Sequence, residues 1–510
     1  MIKKLNLKDY FILPNQGLQS YLHKTEVGSD LDIRTPFWDE KPRSSIMAMW
    51  QAVVDSSNLE AKLPGLYKFE MDMKSKVGPL SVQEPLLRRI PDVMDYYNDP
   101  KGQEVSPRAI ACVKEEFKAL RGLRLRDADA TVAEMRRNTN SGAPYFTRRS
   151  RVESESLELA KTRSLAYPAV LGWRGQEGGI DTDNVKQRVV WMFPFQTNIA
   201  ELQFYQPMIR AIQAHKLIPA YLDHTAVDAR ITNLFDTKPT GDLVVETDFT
   251  KFDQSFWTPL QHVARAVYAD WGPQLDKWIR EVFPVKYNIP MVLSNNLIST
   301  GPHGMASGSG GTNADESIAH RALQHEAALA SGQTLHPSSM AYGDDGILTF
   351  KGITVDKVVA QYTKHGVTMN ESKQGASTTE CVFLRRWHSM SYRKNGIMVG
   401  VYSTFRALGR LMGQERYYDP KQWGPEMVIM RALSILENCN QHPLFEEFIE
   451  FVIKGDKYGL GTKLPGFLDN LQAMYAKARD VMPDYGGFVN DNMKRKGILS
   501  WKVVQYLINR

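Results

Sequence analysis

Two short β-forming stretches, each ending in acid, constrain this chain more than anything else in it. Residues 243–249 read LVVETDF, a β-branched run that stops at Asp248, and residues 340–350 set Gly343-Asp344-Asp345 between two apolar flanks. The first predicts a strand and the second a hairpin turning at the glycine. As antiparallel neighbours in one sheet, the two would bring Asp248 and Asp344 close together. Carboxylates so placed repel unless a divalent cation joins them, and hard oxygen ligands plus substrate phosphates are what Mg²⁺ prefers. Two such ions about 3.5–4 Å apart activate a hydroxyl and stabilise the leaving oxygen of an in-line phosphoryl displacement. Taken singly the motifs are weak: Gly343-Asp344-Asp345 reads equally as an exposed turn, and Asp248 as a strand-end cap.

The 510 residues are enough for two to four packed units, and 43% hydrophobic with 24% charged residues is an ordinary globular composition. Cys112, Cys381 and Cys439 are too scattered for a disulfide framework or a thiolate metal site, which points to a reducing compartment. Lys3, Lys4, Lys8 and Asp9 interrupt the first apolar runs, and no stretch approaches the roughly 18 apolar residues of a membrane span. Neither a signal peptide nor a spanning helix is therefore expected. A formal charge of +6 is too small to prove a polyanionic partner, but its distribution is informative. Residues 136–151 hold Arg136, Arg137, Arg148, Arg149 and Arg151 with no acid, interleaved with Tyr145 and Phe146. A phosphate-tracking groove with stacking side chains would use that mixture, as would a solvated basic loop.

No repeat or low-complexity segment appears. Up to about residue 240 the chain mixes helical stretches such as 107–125 with loops such as 140–144 and 172–184. A glycine-rich loop, 308–311, leads into a helical run from Thr312 to Ala330 that Ser331-Gly332 can end. Asn395-Gly396 marks a further hairpin between residues 382–392 and 397–402. Beyond about 403 the pattern is helical, with Pro425 and Pro443 suited to first turns and 444–453 strongly apolar up to Gly455.

The ordered set Thr247-Asp248-Phe249-Thr250-Lys251-Phe252-Asp253, then Ser307-Gly308-Ser309-Gly310-Gly311-Thr312-Asn313, then Tyr342-Gly343-Asp344-Asp345 resembles the viral RNA-dependent RNA polymerases. Motif A falls at Asp248 and Asp253, motif B at 307–312 and motif C at 343–345, within a match over about 136–400. The Ser-Gly-Ser before the threonine and Glu316-Ser317 after it are most similar to polymerases of the double-stranded RNA picobirnaviruses, then partitiviruses. The resemblance implies an α+β, right-hand polymerase with an encircled active site. Residues 1–60 would bridge fingers and thumb, 61–240 form fingers with palm starting near 195–240, 241–258 palm, 259–294 a fingers insertion, 295–402 palm, and 403–510 a helical thumb with its tail.

It also implies template-directed nucleotide addition with two Mg²⁺ ions, Mn²⁺ able to substitute, held by Asp248, Asp344 and Asp345. Lys186 and Arg188 would clamp the triphosphate; at i and i+2 on an extended strand they face the same way. Asp253 would read the ribose, since a carboxylate can accept a hydrogen bond from the 2′-hydroxyl, helped by Ser307, Thr312 and Asn313. Many positive-strand polymerases carry asparagine where this chain has Glu316, so that contact departs from the common pattern. Lys373, in Asn370-Glu371-Ser372-Lys373, would protonate pyrophosphate. RNA contacts are implied at Arg136, Arg137, Ser141, Gly142 and Pro144 in a template loop, at Gly308, and at Arg385 in the 381–387 hairpin beneath the nascent end. Partners would be template and product RNA, ribonucleoside triphosphates and a viral capsid protein, in the virion interior and host cytoplasm.

A reverse transcriptase shares the Tyr342–Asp345 turn but sets an aromatic residue near the sugar, where this chain has Asp253. A non-catalytic RNA-binding or capsid-associated relative would have lost a metal carboxylate, and none is lost. The glycines before Thr312 lack the lysine of a phosphate loop. His320 and His325 lie on different helix faces, against a zinc site. The loop 454–466 with Tyr458 reads as a surface loop or as an aromatic platform for a first nucleotide.

Overall fold

Val244–Thr247 is extended because its β-branched Val244 and Val245 are fully buried, and it ends where Asp248 reaches solvent. The computed structural model describes residues 1–180, 185–369, 374–482 and 497–510. In it this strand lies second in a four-stranded sheet ordered Ala376–Ser377, Val244–Thr247, Asp345–Leu348, Met340–Tyr342. All pairs are antiparallel, with Val245 opposite Leu348, Glu246 opposite Ile347 and Thr247 opposite Gly346. Tyr342 faces Asp345 across a two-residue turn, and Gly343 takes φ +61° there, as a primed hairpin turn requires.

Behind the sheet runs the helix Thr312–Ala330. Its Ile318, Ala319, Ala322 and Leu323 join a core with Leu260, Val263, Leu348 and Phe350. A second sheet has the order Ile2–Lys4, Leu297–Ser299, Met291–Val292, Ala169–Gly175, Gln187–Met192.

The N-terminal segment touches both ends of the molecule. Ile2–Lys4 supplies an edge strand beside Leu297–Ser299, while Arg43–Ser56 packs into the C-terminal helices. Trp50 is fully buried there, 4.8 Å from the Phe448 ring and 5.2 Å from Phe451, and donates to Thr404 Oγ1 at 2.8 Å. Glu70, also fully buried, caps the helix Thr404–Met412 from outside it. It accepts from Thr404 N at 2.8 Å, Thr404 Oγ1 at 2.6 Å, Phe405 N at 3.3 Å and the Ser403 hydroxyl, and faces His442 Nε2 at 2.8 Å. A carboxylate thus satisfies the open N–H groups of a helix start while two chain regions are held together.

Several local expectations change. Residues 172–175 are strand, not loop: Ala169–Gly175 pairs with Gln187–Met192, and a Cβ on Gly175 would lie 1.9 Å from Leu80 O. Glycine there serves close backbone approach. The 107–125 helix stops at Glu116, followed by a short turn at Lys118–Leu120. Residues 382–392 are two strands: Glu380–Phe383 pairs with Arg386–Ser389 around Leu384 and Arg385 at φ 50° and 60°. Neither residue type favours a left-handed turn, so only the resemblance, with its hairpin at 381–387, anticipated this pairing. Asn395-Gly396 does form its hairpin, at φ 51° and 80°. Pro425 opens its helix, whereas Pro443 precedes Phe445–Gly455. Among the described residues no helix is long and apolar enough to cross a membrane.

Candidate active site

The pairing of Thr247 with Gly346 leaves Asp248 and the Gly343-Asp344 turn at the same end of adjacent strands. Directly opposed residues in such a ladder have Cβ atoms about 4.5–5.5 Å apart, so the acids share one small region. Asp248 and Asp344 are exposed, and their carboxylates accept no hydrogen bond from another described residue. The Asp248 backbone is clasped by Gln374, which accepts its N–H at 2.8 Å and donates to its carbonyl at 2.9 Å. Asp345 differs: its Oδ2 accepts from Leu384 N at 2.8 Å, turning it toward the neighbouring hairpin. Among the described residues no three acidic, histidine or cysteine side chains form a ready-made metal cage.

Negative charge is nevertheless concentrated here. Burial and Asp344 push Asp345 up to about 7, and burial with Asp253 raises Asp344. Burial also lifts Glu246, whose Oε1 accepts from Val382 N at 2.7 Å, to about 7. Acids that raise one another in this way are stabilised in their charged form by a nearby cation. Two carboxylates that accept no hydrogen bond from another described residue fit a hard divalent ion.

Asp253 lies in the short helix Phe252–Ser255, almost fully buried. Its Oδ2 receives Arg188 Nη2 at 2.7 Å and the Ser307 hydroxyl, and Ser307 in turn lies 3.4 Å from the Tyr96 hydroxyl. The Asp253 charge raises Arg188 further above its already high value. Lys186, just before the strand Gln187–Met192, is exposed like Arg188, while Gln187 turns away to Val82 O and Glu84 N. The two cations therefore face the same way.

The loop before the long helix is tightly held. Gly308 has φ +139°, and a Cβ on it would sit 1.9 Å from Trp191 O. Ser307 O accepts from Trp191 N at 2.8 Å. Buried Glu201 receives the Ser309 hydroxyl and Gly310 N at 3.1 Å. Thr312 Oγ1 folds back on Ser309 O at 3.3 Å, and Asn313 Oδ1 accepts from Tyr221 at 2.8 Å. Both are thus hydrogen-bonded within the protein.

One stripe of the helix, Asn313, Glu316, Ser317 and His320, follows i, i+3, i+4, i+7 spacing and faces the Gly343-Asp344 turn. Ser317 Oγ accepts Gly343 N at 2.8 Å. His320 Nδ1 lies 2.9 Å from Gly343 O, so Nδ1 must carry the proton, and Nε2 accepts from Thr247 Oγ1 at 3.2 Å. This histidine is structural; burial lowers it to about 4 and keeps it neutral. Glu316 is buried with Oε1 unpartnered, and burial together with Asp253 and Asp344 raises it well above the carboxylate range. On another face Asp315 accepts from Tyr205, Tyr268 and Tyr287, each at 2.7 Å, and pairs with Lys286 at 3.1 Å, all in the interior.

The 136–151 stretch is only partly a basic groove. Phe146 is buried 5.4 Å from the Tyr21 ring and tilted against it, so it packs inside the protein. Arg149 lies over Phe195 and donates to Asn198 at 2.9 Å, and Arg137 is paired with Glu153. Ser141, Gly142 and Pro144 are buried and shape the loop rather than line an open surface; Gly142 at φ +61° would meet Phe193 O. Arg136, Arg137, Arg148 and Arg151 stay exposed. Arg385 is exposed at the turn beside Asp345. Lys373, with Asn370, Glu371 and Ser372, lies outside the described residues.

Sequence reading passed over Tyr96, Glu201 and Gln374. A lone acid in the apolar turn around Ile199 and Ala200 was a usable signal for Glu201; Tyr96 and Gln374 offered none, because long-range contact alone defines them.

Comparison with known proteins agrees with this geometry. A sequence profile described as viral RNA-dependent RNA polymerase matches residues 176–400. A potential RNA-dependent RNA polymerase of human picobirnavirus (strain Human/Thailand/Hy005102/-) is 47% identical over 525 residues, covering 98% of each chain. The crystal structure of the RNA-dependent RNA polymerase of a human picobirnavirus is 44% identical, covers 100% of both chains and superposes with a TM-score of 0.91. Its insertion-loop deletion mutant gives 0.90 at 44% identity and the same coverage.

Proposed function

Because this chain belongs to the viral RNA-dependent RNA polymerases, with their right-hand fold and RNA-directed RNA synthesis, we propose that it replicates and transcribes a double-stranded RNA genome by two-ion nucleotidyl transfer. The observation carrying the chemistry is the Thr247–Gly346 register, which sets Asp248 beside the Asp344 turn. These two carboxylates would hold Mg²⁺ or Mn²⁺, with Asp345 assisting; bound there, the ions supply charge neutralisation for the triphosphate and activation of the RNA 3′-hydroxyl.

The chain's own residues do the positioning. Lys186 and Arg188 face the phosphates from the fingers, and a triphosphate that draws Arg188 away from Asp253 releases that carboxylate to accept the ribose 2′-hydroxyl. Ser307 keeps Asp253 oriented during the exchange. Lys373 is assigned proton delivery to pyrophosphate on resemblance alone. Fingers would comprise 61–240 and 259–294, palm 241–258 and 295–402, thumb 403–510, with 1–60 as the bridge. Arg136 and Arg137 would meet template RNA, Arg385 and Gly308 the RNA near the catalytic turn. A capsid protein partner, and work in the virion interior and host cytoplasm, belong to the same proposal, supported by likeness to picobirnavirus proteins.

The test is purified protein with single-stranded RNA, four ribonucleotides and Mg²⁺ or Mn²⁺, with and without primer. Template-dependent product that disappears on chelation is expected. Equal synthesis without any divalent ion, or none under any of these conditions, rejects the proposal.

A further inference from the structure

Three arginines from two regions of the chain converge on one carboxylate. Glu177, in the stretch after Ala169–Gly175, lies 3.1 Å from Arg406 Nε, 3.3 Å from Arg410 Nε and 3.6 Å from Arg385 Nη1. Arg406 and Arg410 stand one turn apart on the helix Thr404–Met412. Arg385 occupies the turn whose Leu384 N–H holds Asp345, so the cluster adjoins the catalytic acids.

The burial is uneven. Glu177 and Arg406 side chains are 13% and 8% exposed, whereas Arg385 and Arg410 are 58% and 42% exposed. Burial pushes the Glu177 carboxyl up, but Arg406 and Arg410 bring it down to about 2, so it is fully charged near neutrality. One carboxylate leaves two of three guanidinium charges uncompensated by it. Glu415 offsets part of that surplus from beside Arg410, and is itself 3.6 Å from Arg174. Arg406 is also backed by the Tyr402 ring at 5.5 Å. A planar guanidinium receives a carboxylate or a phosphodiester through the same donor pattern, and both anions carry one charge.

We propose that Arg385, Arg406 and Arg410 form a seat for an RNA backbone phosphate beside the catalytic turn, and that Glu177 fills this seat in the RNA-free molecule. RNA then binds by displacing the carboxylate. The inference rests on the polymerase reading only in taking RNA to reach that turn, and its test needs no catalysis.

A short fluorescent single-stranded RNA is titrated by anisotropy at several salt concentrations, without nucleotides or divalent ions. Glu177→Gln removes the competing charge without removing an arginine. It should bind about tenfold more tightly at low salt, with a plot of log affinity against log salt steeper by about 0.7, the increment for one further phosphate contact. Arg410→Ala should bind more weakly, with a slope shallower by a similar amount. Unchanged or weaker binding by a Glu177→Gln protein that melts like wild type overturns the proposal. Should that variant melt early, Arg410→Ala decides: a wild-type slope overturns the seat and a shallower one supports it. Wild-type nucleotide incorporation, measured separately, shows whether the polymerase reading itself has failed.

Discussion

Thr247 stands opposite Gly346 in the central ladder, with the Thr247 hydroxyl 3.3 Å from the Gly346 carbonyl and 3.2 Å from His320 Nε2. One histidine on the helix behind the sheet therefore fixes the strand bearing Asp248 and the turn bearing Asp344 at once. A slip of one residue would reverse which face every side chain of the strand occupies.

Asp344→Asn keeps the turn but removes one charge from a carboxylate that accepts no hydrogen bond from another described residue. RNA affinity should stay within about twofold, while incorporation falls by on the order of a thousandfold, typical of losing electrostatic stabilisation in the transition state. Single-turnover extension beside filter binding checks both. Full activity would remove Asp344 from the ion-holding pair.

Asp253→Ala leaves Arg188 without its 2.7 Å partner and Ser307 without its acceptor. The ratio of ribonucleotide to deoxynucleotide use, measured as relative kcat/KM, should fall by about tenfold or more, roughly the worth of one charge-assisted hydrogen bond. RNA binding should change much less. An unaltered ratio would move sugar recognition elsewhere, with Glu316 the next residue to test.

His320 gives a pH dependence of definite sign. Burial puts it near 4 in the folded protein, against about 6.5 when exposed, so the unfolded chain binds the proton first as pH falls. Its contribution is complete above about pH 6.5 and is lost between there and 4, amounting to about 2 kcal/mol by pH 5. The stability gap between wild type and His320→Asn should thus narrow from pH 8 to pH 5 in urea unfolding. A gap independent of pH would contradict a neutral, hydrogen-bonded His320.

Glu70→Gln weakens the cap on the helix Thr404–Met412, where one carboxylate receives two backbone N–H groups and two hydroxyls. A loss on the order of 3 kcal/mol is expected for a fully buried charged acceptor. It should appear as faster amide exchange in that helix and in Arg43–Ser56, which shares its core. Wild-type protection in both would show that apolar packing alone holds the N-terminal bridge.

The strand ending at Asp248, the Gly343-Asp344 hairpin and the Thr312–Ala330 helix were legible because their signals are local. A β-branched run, a glycine at a turn and a capped apolar period each act within a few residues. The Leu384-Arg385 turn was legible only through the resemblance, as the hairpin at 381–387, since two ordinary residues adopt left-handed angles there only because the flanking strands pair. The 136–151 stretch was legible only as charge: that Arg149 lies over Phe195, while Arg137 pairs with Glu153 and keeps an exposed side chain, is set by contacts outside the stretch.

By itself the sequence determined the strand that ends at Asp248, the turn at Gly343-Asp344 and the helix from Thr312, because residue type and short-range spacing set strand, turn and helix. Tertiary structure alone decided that Arg188 and Ser307 converge on Asp253, that Leu384 engages Asp345, and that Glu177 sits among three arginines. Those partners are far apart along the chain, and only close packing of the whole molecule brings such charges within hydrogen-bonding reach.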